Sequence, residues 1–197
     1  MTRDASAFQQ MTDGGLLEAA TGRDRAAFSE IVSRHYQPVY RLVWRMTGGR
    51  GDCEDITQEA FLRLWQNPAQ VREAAALKGW LMRVASNAVI DRSRKPKTSA
   101  LDSEAELQDP RARPDAPLDR AEAARLVDAK IAELPERQRL ALSLVYFESM
   151  TNIEAAAAME ASVEAVESLL ARARRSLKES LTPQWRELLD GLTETGG

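Results

Sequence analysis

The sequence has a single cysteine, Cys53, and a single histidine, His35, among 197 residues. One chain can therefore close no disulfide and cannot assemble a conventional Cys/His zinc site. No apolar run approaches the length of a membrane span, and the polar opening MTRDASAFQQ lacks the layout of a signal peptide. The expectation is a cytoplasmic protein without membrane insertion. Also missing are a paired nucleophile and base, a glycine loop able to cradle phosphate, and a cluster of metal ligands. Enzymatic chemistry is thus the weakest of the candidate roles, and neither a cofactor nor a metal is expected. Finally, there is no surplus of positive charge: 27 Lys and Arg stand against 30 Asp and Glu. That balance argues against non-specific polyanion binding by the molecule as a whole.

The charge that is present is unevenly placed. Between Phe28 and Lys97 twelve Arg and Lys face seven Asp and Glu, whereas between Thr98 and Arg120 three basic residues face six acidic ones. A basic stretch followed by an acidic connector is hidden inside the mean. The length suits one medium domain or two small ones, and 29% charged with 44% hydrophobic residues describes an ordinary globular composition. The connector is poor in apolar residues and carries Pro96, Pro110, Pro114 and Pro117 at or near it. It cannot bury enough apolar surface to offset its ordering entropy and reads as a flexible linker. The architecture expected is all-α: two small helical domains, residues 1–97 and 121–197, joined by a flexible acidic linker at 98–120.

Met1 to Gly15 reads as polar and frayed. Leu16, Leu17 and Ala20 suggest a short helix, and Ala27, Phe28, Ile31 and Val32 a second one after a turn at Thr21 to Asp24. A longer helix carries Tyr36, Val39, Tyr40, Leu42, Val43 and Met46, started or kinked by Pro38 and ended by Gly48, Gly49 and Gly51. Asp52 is placed to cap the next helix, Glu54 to Gln66, which Asn67-Pro68 breaks. A loop or partly helical stretch leads to a basic helix from about Leu77 to Arg94, stopped by Pro96.

In the acidic helix Ile56, Ala60 and Leu64 recur at helical spacing and can face a core, leaving Asp55, Gln58, Glu59, Leu62 and Trp65 toward the other side. A Leu and a Trp among carboxylates on an outward face suit protein binding. In the basic helix Leu81, Val84, Ala85, Ala88 and Val89 form the buried stripe, while Lys78, Arg83, Asn87, Arg92 and Arg94 spread over the exposed arc. Cations, an amide and the adjacent Trp80 suit phosphates and base edges or faces. Solvated helix faces also look like this, and a Trp at helical spacing is as readily a core residue.

After the linker, Ala121 to Ala132 reads as a helix through Ala124, Leu126, Val127 and Ile131, and Leu134-Pro135 sets the start of another through Leu140, Leu142, Leu144, Val145 and Phe147. Thr151-Asn152-Ile153-Glu154 is a capping box, opening a short helix to Met159. Glu160-Ala161-Ser162 then makes a turn, and a helix capped by Ser162 runs from Val163 to about Leu181, with Val166, Leu169 or Leu170, Ala173 and Leu177 inward. A capped short helix, a three-residue turn and a longer helix ending in Arg172, Arg174, Arg175 and Lys178 is the helix-turn-helix layout, although an ordinary helical hairpin shares its spacing. Trp185, Leu188, Leu189 and Leu192 suggest a further amphipathic tail helix.

QEAFLRLW, then a loop, then W-L-x-R-x-A-x-N-x-x-x-D-x-x-R from Trp80 to Arg94 resembles region 2 of bacterial sigma factors of the small extracytoplasmic-function group. LPERQRLALSLVYFESMTNIEAAAAMEASVEAVESLLARARRSL looks like region 4 of the same group. The resemblance implies that Asp55, Gln58, Glu59, Leu62 and Trp65 dock on the clamp coiled coil of the largest subunit of core RNA polymerase. It implies that Lys78, Trp80, Arg83, Asn87, Asp91 and Arg92 belong to the part that opens and reads the promoter −10 element, with Asp91 more plausibly orienting Arg83 or Arg94 than reading a base. Glu167, Ser168, Ala171 and Arg172 would face bases of the −35 element, and Arg174 and Arg175 its phosphates. It further implies promoter DNA and an anti-sigma factor as partners, with no reaction catalysed by the chain itself.

Two positions depart from the usual region 4 pattern. Glu160 stands where the turn often has Gly, so the backbone must turn without glycine's relief at positive φ, or the turn differs slightly. Glu167 and Leu169 stand where basic residues are common; a Glu can accept from cytosine N4 but repels phosphate. These departures leave open a sigma-like decoy that sequesters a regulator without binding promoters, and, behind it, a dimeric helix-turn-helix repressor.

Overall fold

The computed structural model of the chain describes residues 5–49, 51, 53–71, 76–94 and 118–194, with side chains described for 7–49, 51, 53–71, 76–94 and 125–182. Among the described residues all regular structure is helical: α1 (Ala5–Gln9), α2 (Asp13–Thr21), α3 (Arg25–Thr47), α4 (Cys53–Gln66), α5 (Leu77–Arg94), α6 (Leu118–Ala132), α7 (Glu136–Leu142), α8 (Asn152–Ala158) and α9 (Val163–Glu194), with a 3-10 turn at Pro68–Gln70 and a π turn at Ser143–Phe147. The proposed cap Asp52, the stop at Pro96 and the linker up to residue 117 lie outside the described residues.

The first bundle, α1 to α5, closes over Leu16, Ile31, Leu42, Leu64, Leu77, Leu81 and Met82, all fully buried. Each such side chain stabilises the fold by roughly 1.5–3 kcal/mol relative to exposure. Two expectations are corrected here. Instead of two helices divided near Pro38, α3 is one helix of 23 residues with Pro38 inside it. Ala27, Ile31, His35, Val39, Leu42 and Met46 form one unbroken buried stripe, and its burial outweighs the hydrogen bond that proline removes. Nor is the start of the chain frayed up to Gly15. Phe8 is buried, and Arg34 donates to the carbonyls of Phe8 and Gln9 (both 2.9 Å) and of Met11 (2.7 Å). Thr12 caps α2, while Asp13 takes Arg34 at 3.1 Å and His35 Nε2 at 2.8 Å. The only histidine thus pins α2 to α3.

α4 and α5 form over the spans the sequence suggests, with Ile56, Ala60 and Leu64 of α4 and Leu81, Ala85, Ala88 and Val89 of α5 buried. Val84 is only half-buried. Cys53 starts α4 as a buried residue beside the Thr47 hydroxyl, 3.3 Å away.

The second bundle comprises α6 to α9. Helix α6 begins at Leu118, inside the stretch expected to be linker, and α9 runs unbroken to Glu194 instead of ending near Leu181 ahead of a separate tail helix. The side chains of Trp185, Leu188, Leu189 and Leu192 lie outside the described residues. The helix expected to reach Phe147 widens after Leu142 into the π turn, whose Glu148 amide donates to the Ser143 carbonyl at 3.1 Å. Glu160 turns the chain at φ +48, so the missing glycine is met by a left-handed glutamate, at a cost of about 1–2 kcal/mol.

The two bundles pack on one another, which nothing in the sequence pattern announces. α3 touches α6, α7 and the π turn, and α5 touches α8. Arg139, the arginine of the L-P-x-x-x-R stretch, donates to the Met46 carbonyl at 2.7 Å and to the Leu134 carbonyl at 3.1 Å. It satisfies a carbonyl that the end of α3 leaves open, and burial lowers its affinity for its proton below the ordinary arginine value.

Candidate polymerase and nucleic-acid interfaces

The core stripe of α4 fixes what its opposite face presents. Asp55 and Gln58 are exposed, and Leu62 is 57% exposed between them and the helix end, one of the few large apolar side chains in solvent among the described residues. Glu59 is half-buried and pairs with Arg63 one turn on and with Arg92 of α5 at 3.3 Å. Trp65 sits at the edge of this face. Its ring packs on Phe28 with centroids 4.9 Å apart, Arg23 lies 5.5 Å over the ring, and the Trp65 carbonyl accepts from Arg23 at 3.0 Å.

α5 divides along its length. At its start Lys78 donates to the Glu148 carbonyl, Trp80 is only 7% exposed, and Arg83 pairs with Glu160 at 3.0 Å. These three residues, with Val71, line a cleft of about 980 Å³ whose other wall includes Met150 and Ile153 of the second bundle. At its far end Asn87, Asp91 and Arg92 are exposed. Asp91 does not orient Arg83, because the guanidinium turns instead to Glu160 across the bundle interface.

The helix-turn-helix is built by two side-chain caps. Thr151 Oγ1 accepts from the Glu154 amide at 3.2 Å, and Glu154 Oε2 accepts in return from the Thr151 amide at 2.7 Å and its hydroxyl at 2.8 Å. The Thr151 amide, and after it the hydroxyl, hold the Glu154 carboxyl below the usual glutamate range. Ser162 Oγ accepts from the Ala165 amide at 3.2 Å and starts α9. Val166, Leu170 and Ala173 then face inward. This leaves Glu167, Ser168, Ala171, Arg172, Arg174 and Arg175 exposed on one stretch of α9. Ser168 accepts from Arg172 at 2.8 Å, and Glu167 accepts from Asn152 Nδ2 at 3.4 Å. Leu169 is half-buried against the core, so at this departure from a basic residue the side chain contributes packing.

Sequence reasoning missed Arg41, Arg45 and Glu148. Glu148 accepts from Arg45 Nη1 at 3.0 Å and from Arg41 Nη2 at 3.2 Å, and Arg45 lies 4.0 Å over the Phe147 ring. The available signal was faint: two arginines four apart in the largely apolar second half of α3, and one acid directly after an apolar run.

Residues 31–98 match the family described as Sigma-70 region 2 and residues 124–177 that described as Sigma-70, region 4. The ECF RNA polymerase sigma-E factor of Escherichia coli (strain K12) is 30% identical over 186 residues, covering 89% of this chain and 97% of its own length. Among solved structures, CnrH in complex with the cytosolic domain of CnrY has a TM-score of 0.65 at 25% identity, over 87% of this chain and 97% of that one. The sigma factor RpoE in complex with the anti-sigma factor NepR, from Bartonella quintana, shares the fold with a TM-score of 0.63 at 17% identity, over 79% and 96%. Among the described residues no helix is long and apolar enough to cross a membrane. Both regions occur in order, and the likeness spans nearly a whole relative: the chain belongs to the extracytoplasmic-function sigma factors, the promoter-directing subunits of RNA polymerase.

Proposed function

We propose that the exposed face of α4, centred on Leu62 with Asp55, Gln58 and Glu59 and edged by Trp65, docks on the clamp coiled coil of the largest polymerase subunit. An apolar side chain in solvent on the same face as the exposed Asp55 and Gln58 is the observation that carries this reading; it fits an amphipathic partner helix. Lys78, Trp80, Arg83, Asn87, Asp91 and Arg92 of α5 form the −10 surface, where cations hold the backbone of a separated strand and an aromatic ring or pocket receives a base. Glu167, Ser168, Ala171 and Arg172 read the −35 element from the major groove, while Arg174 and Arg175 neutralise phosphates. The domains are residues 1–97 and, with α6 starting at Leu118, 118–197, and the stretch 98–117 tethers them while they reach separated DNA elements. The chain works in the cytoplasm, catalyses no reaction itself and is restrained by an anti-sigma factor, as the RpoE neighbour is bound by NepR.

Transcription in vitro with purified core polymerase and a promoter library tests the whole reading, with start-site selection as the expected result. Replacing Asp55 and Gln58 together by Ala is expected to weaken association with core polymerase by roughly tenfold or more, while binding of promoter DNA by the chain itself is unchanged. Core affinity at full strength in that variant would remove the docking face from α4.

A further inference from the structure

Glu148 is the only buried carboxylate among the described residues, its side chain 1% exposed, and Arg45 beside it is 3% exposed. Both carboxylate oxygens are engaged, one by each arginine, and both arginines come from α3 of the other bundle. A charge so placed is costly to desolvate, and the cost is met only while the partner charges stay in reach. The π turn serves this purpose: by widening the last turn of α7 it brings Phe147 beneath Arg45 and Glu148 between the two guanidiniums. The same interface engages the cations assigned above to promoter DNA, since Lys78 is bound to the Glu148 carbonyl and Arg83 to the Glu160 carboxylate. Met150 closes over Gly79, where an added Cβ would lie 3.8 Å from its Cε. By contrast, Asp55, Gln58 and Leu62 remain open on α4.

We propose that the second bundle is an internal competitor for promoter DNA. It is locked by Glu148 under Arg41 and Arg45, and promoter binding at α5 requires the lock to open. This rests on the assignment of the start of α5 to the −10 element. In the closed state the start of the −10 surface, Lys78, Trp80 and Arg83, is covered, while its far end and the polymerase face stay exposed. The chain therefore docks on the enzyme closed and engages the −10 strand only after the bundles part. Glu160 acts as a phosphate surrogate at Arg83, presenting carboxylate oxygens where a nucleic-acid backbone would place its own.

The test uses the full chain. Removing one partner of a buried pair shifts the balance between closed and open states by about a hundredfold or more. Glu148→Gln keeps the shape and deletes the charge. Small-angle X-ray scattering is expected to show a compact wild type and an expanded variant of unchanged helix content by circular dichroism. The variant should also bind a fluorescein-labelled single-stranded DNA of about 20 nucleotides at least tenfold more tightly, because apparent affinity scales with the competent fraction. A second variant locks the closed state. An added Cβ at Gly48 lies 3.5 Å from the Ala132 Cβ, within the span a disulfide bridges; the side chain at φ +67 costs about 1–2 kcal/mol, equally in the oxidised and reduced forms that are compared. Gly48→Cys with Ala132→Cys, in a Cys53→Ala background, is expected to bind the single-stranded probe at least tenfold more weakly when oxidised than when reduced. A Glu148→Gln variant as compact as the wild type overturns the lock. An expanded variant with no gain in DNA binding, together with equal binding by oxidised and reduced forms, overturns the competition and moves the DNA surface off α5 while leaving the lock in place.

Discussion

The two helices proposed to face DNA, α5 and α9, are in opposite conditions. α5 and the stretch of α9 from Val163 to Arg175 look alike in sequence, each with an apolar stripe on one side and cations among polar residues on the other. In the structure the leading cations of α5 are engaged by protein groups, Lys78 by the Glu148 carbonyl and Arg83 by Glu160. Those of α9 stand in solvent, and their recorded contacts are to their own helix, Arg172 to Ser168 and Arg174 to the Leu170 carbonyl. An exposed arc on a helical wheel is thus a statement about one domain. Whether the arc is available depends on what the neighbouring domain does with it.

The largest effect that would break this comparison lies at Trp80. Because its ring is buried at the bundle interface, Trp80→Ala is expected to lower unfolding stability by about 3–5 kcal/mol, whereas Ala171→Ser on the exposed face of α9 should stay within about 0.5 kcal/mol. Urea titration of both variants measures the contrast, and equal midpoints would mean that α5 is as open as α9. Next in size is the salt dependence of DNA binding. Arg174→Ala with Arg175→Ala should flatten the plot of log affinity against log salt by about 1.8 and leave the melting temperature unchanged, as expected of cations held only by solvent and their own helix. Smallest is the cap of α8. Thr151→Ala should cost about 1 kcal/mol and alter the acid limb of stability. Glu154 binds its proton less readily folded than unfolded, so its contribution is complete above the ordinary glutamate range and is lost as pH falls through the lowered folded value. Thermal melts from neutral to acid pH should show the wild type losing stability more steeply than Thr151→Ala.

Much of this arrangement was legible in the chain. The spans of α4 and α5, the capping box at Thr151 and the inward line of Val166, Leu170 and Ala173 follow from helical period and cap chemistry, which act over a few residues and leave a local trace. The continuity of α3 through Pro38 was not legible, because a proline's local penalty is visible in the sequence whereas the burial on both sides of it is not. Phe8 was missed for the related reason that its pocket is made by residues far along the chain, with Arg34 closing over the carbonyls around it. Glu160 was readable as a problem but not as a solution: the sequence shows the absent glycine, and only the fold shows the left-handed turn and the pairing with Arg83. Of the set expected on the outward face of α4, Asp55, Gln58 and Leu62 are exposed, whereas Glu59 is half-buried in pairs with Arg63 and Arg92 and Trp65 is tied down by Phe28 and Arg23 at the margin. The contact between the bundles left no periodic trace at all, since ion pairs separated by more than a hundred residues obey no local spacing.

The widened turn at Ser143–Phe147 carries one further consequence. A regular helix rotates by about 100° per residue, so deleting one residue there would swing Phe147 and Glu148 around the axis and away from both arginines. The count of residues in a single turn, independent of their identity, therefore decides whether the two halves of this protein meet face to face.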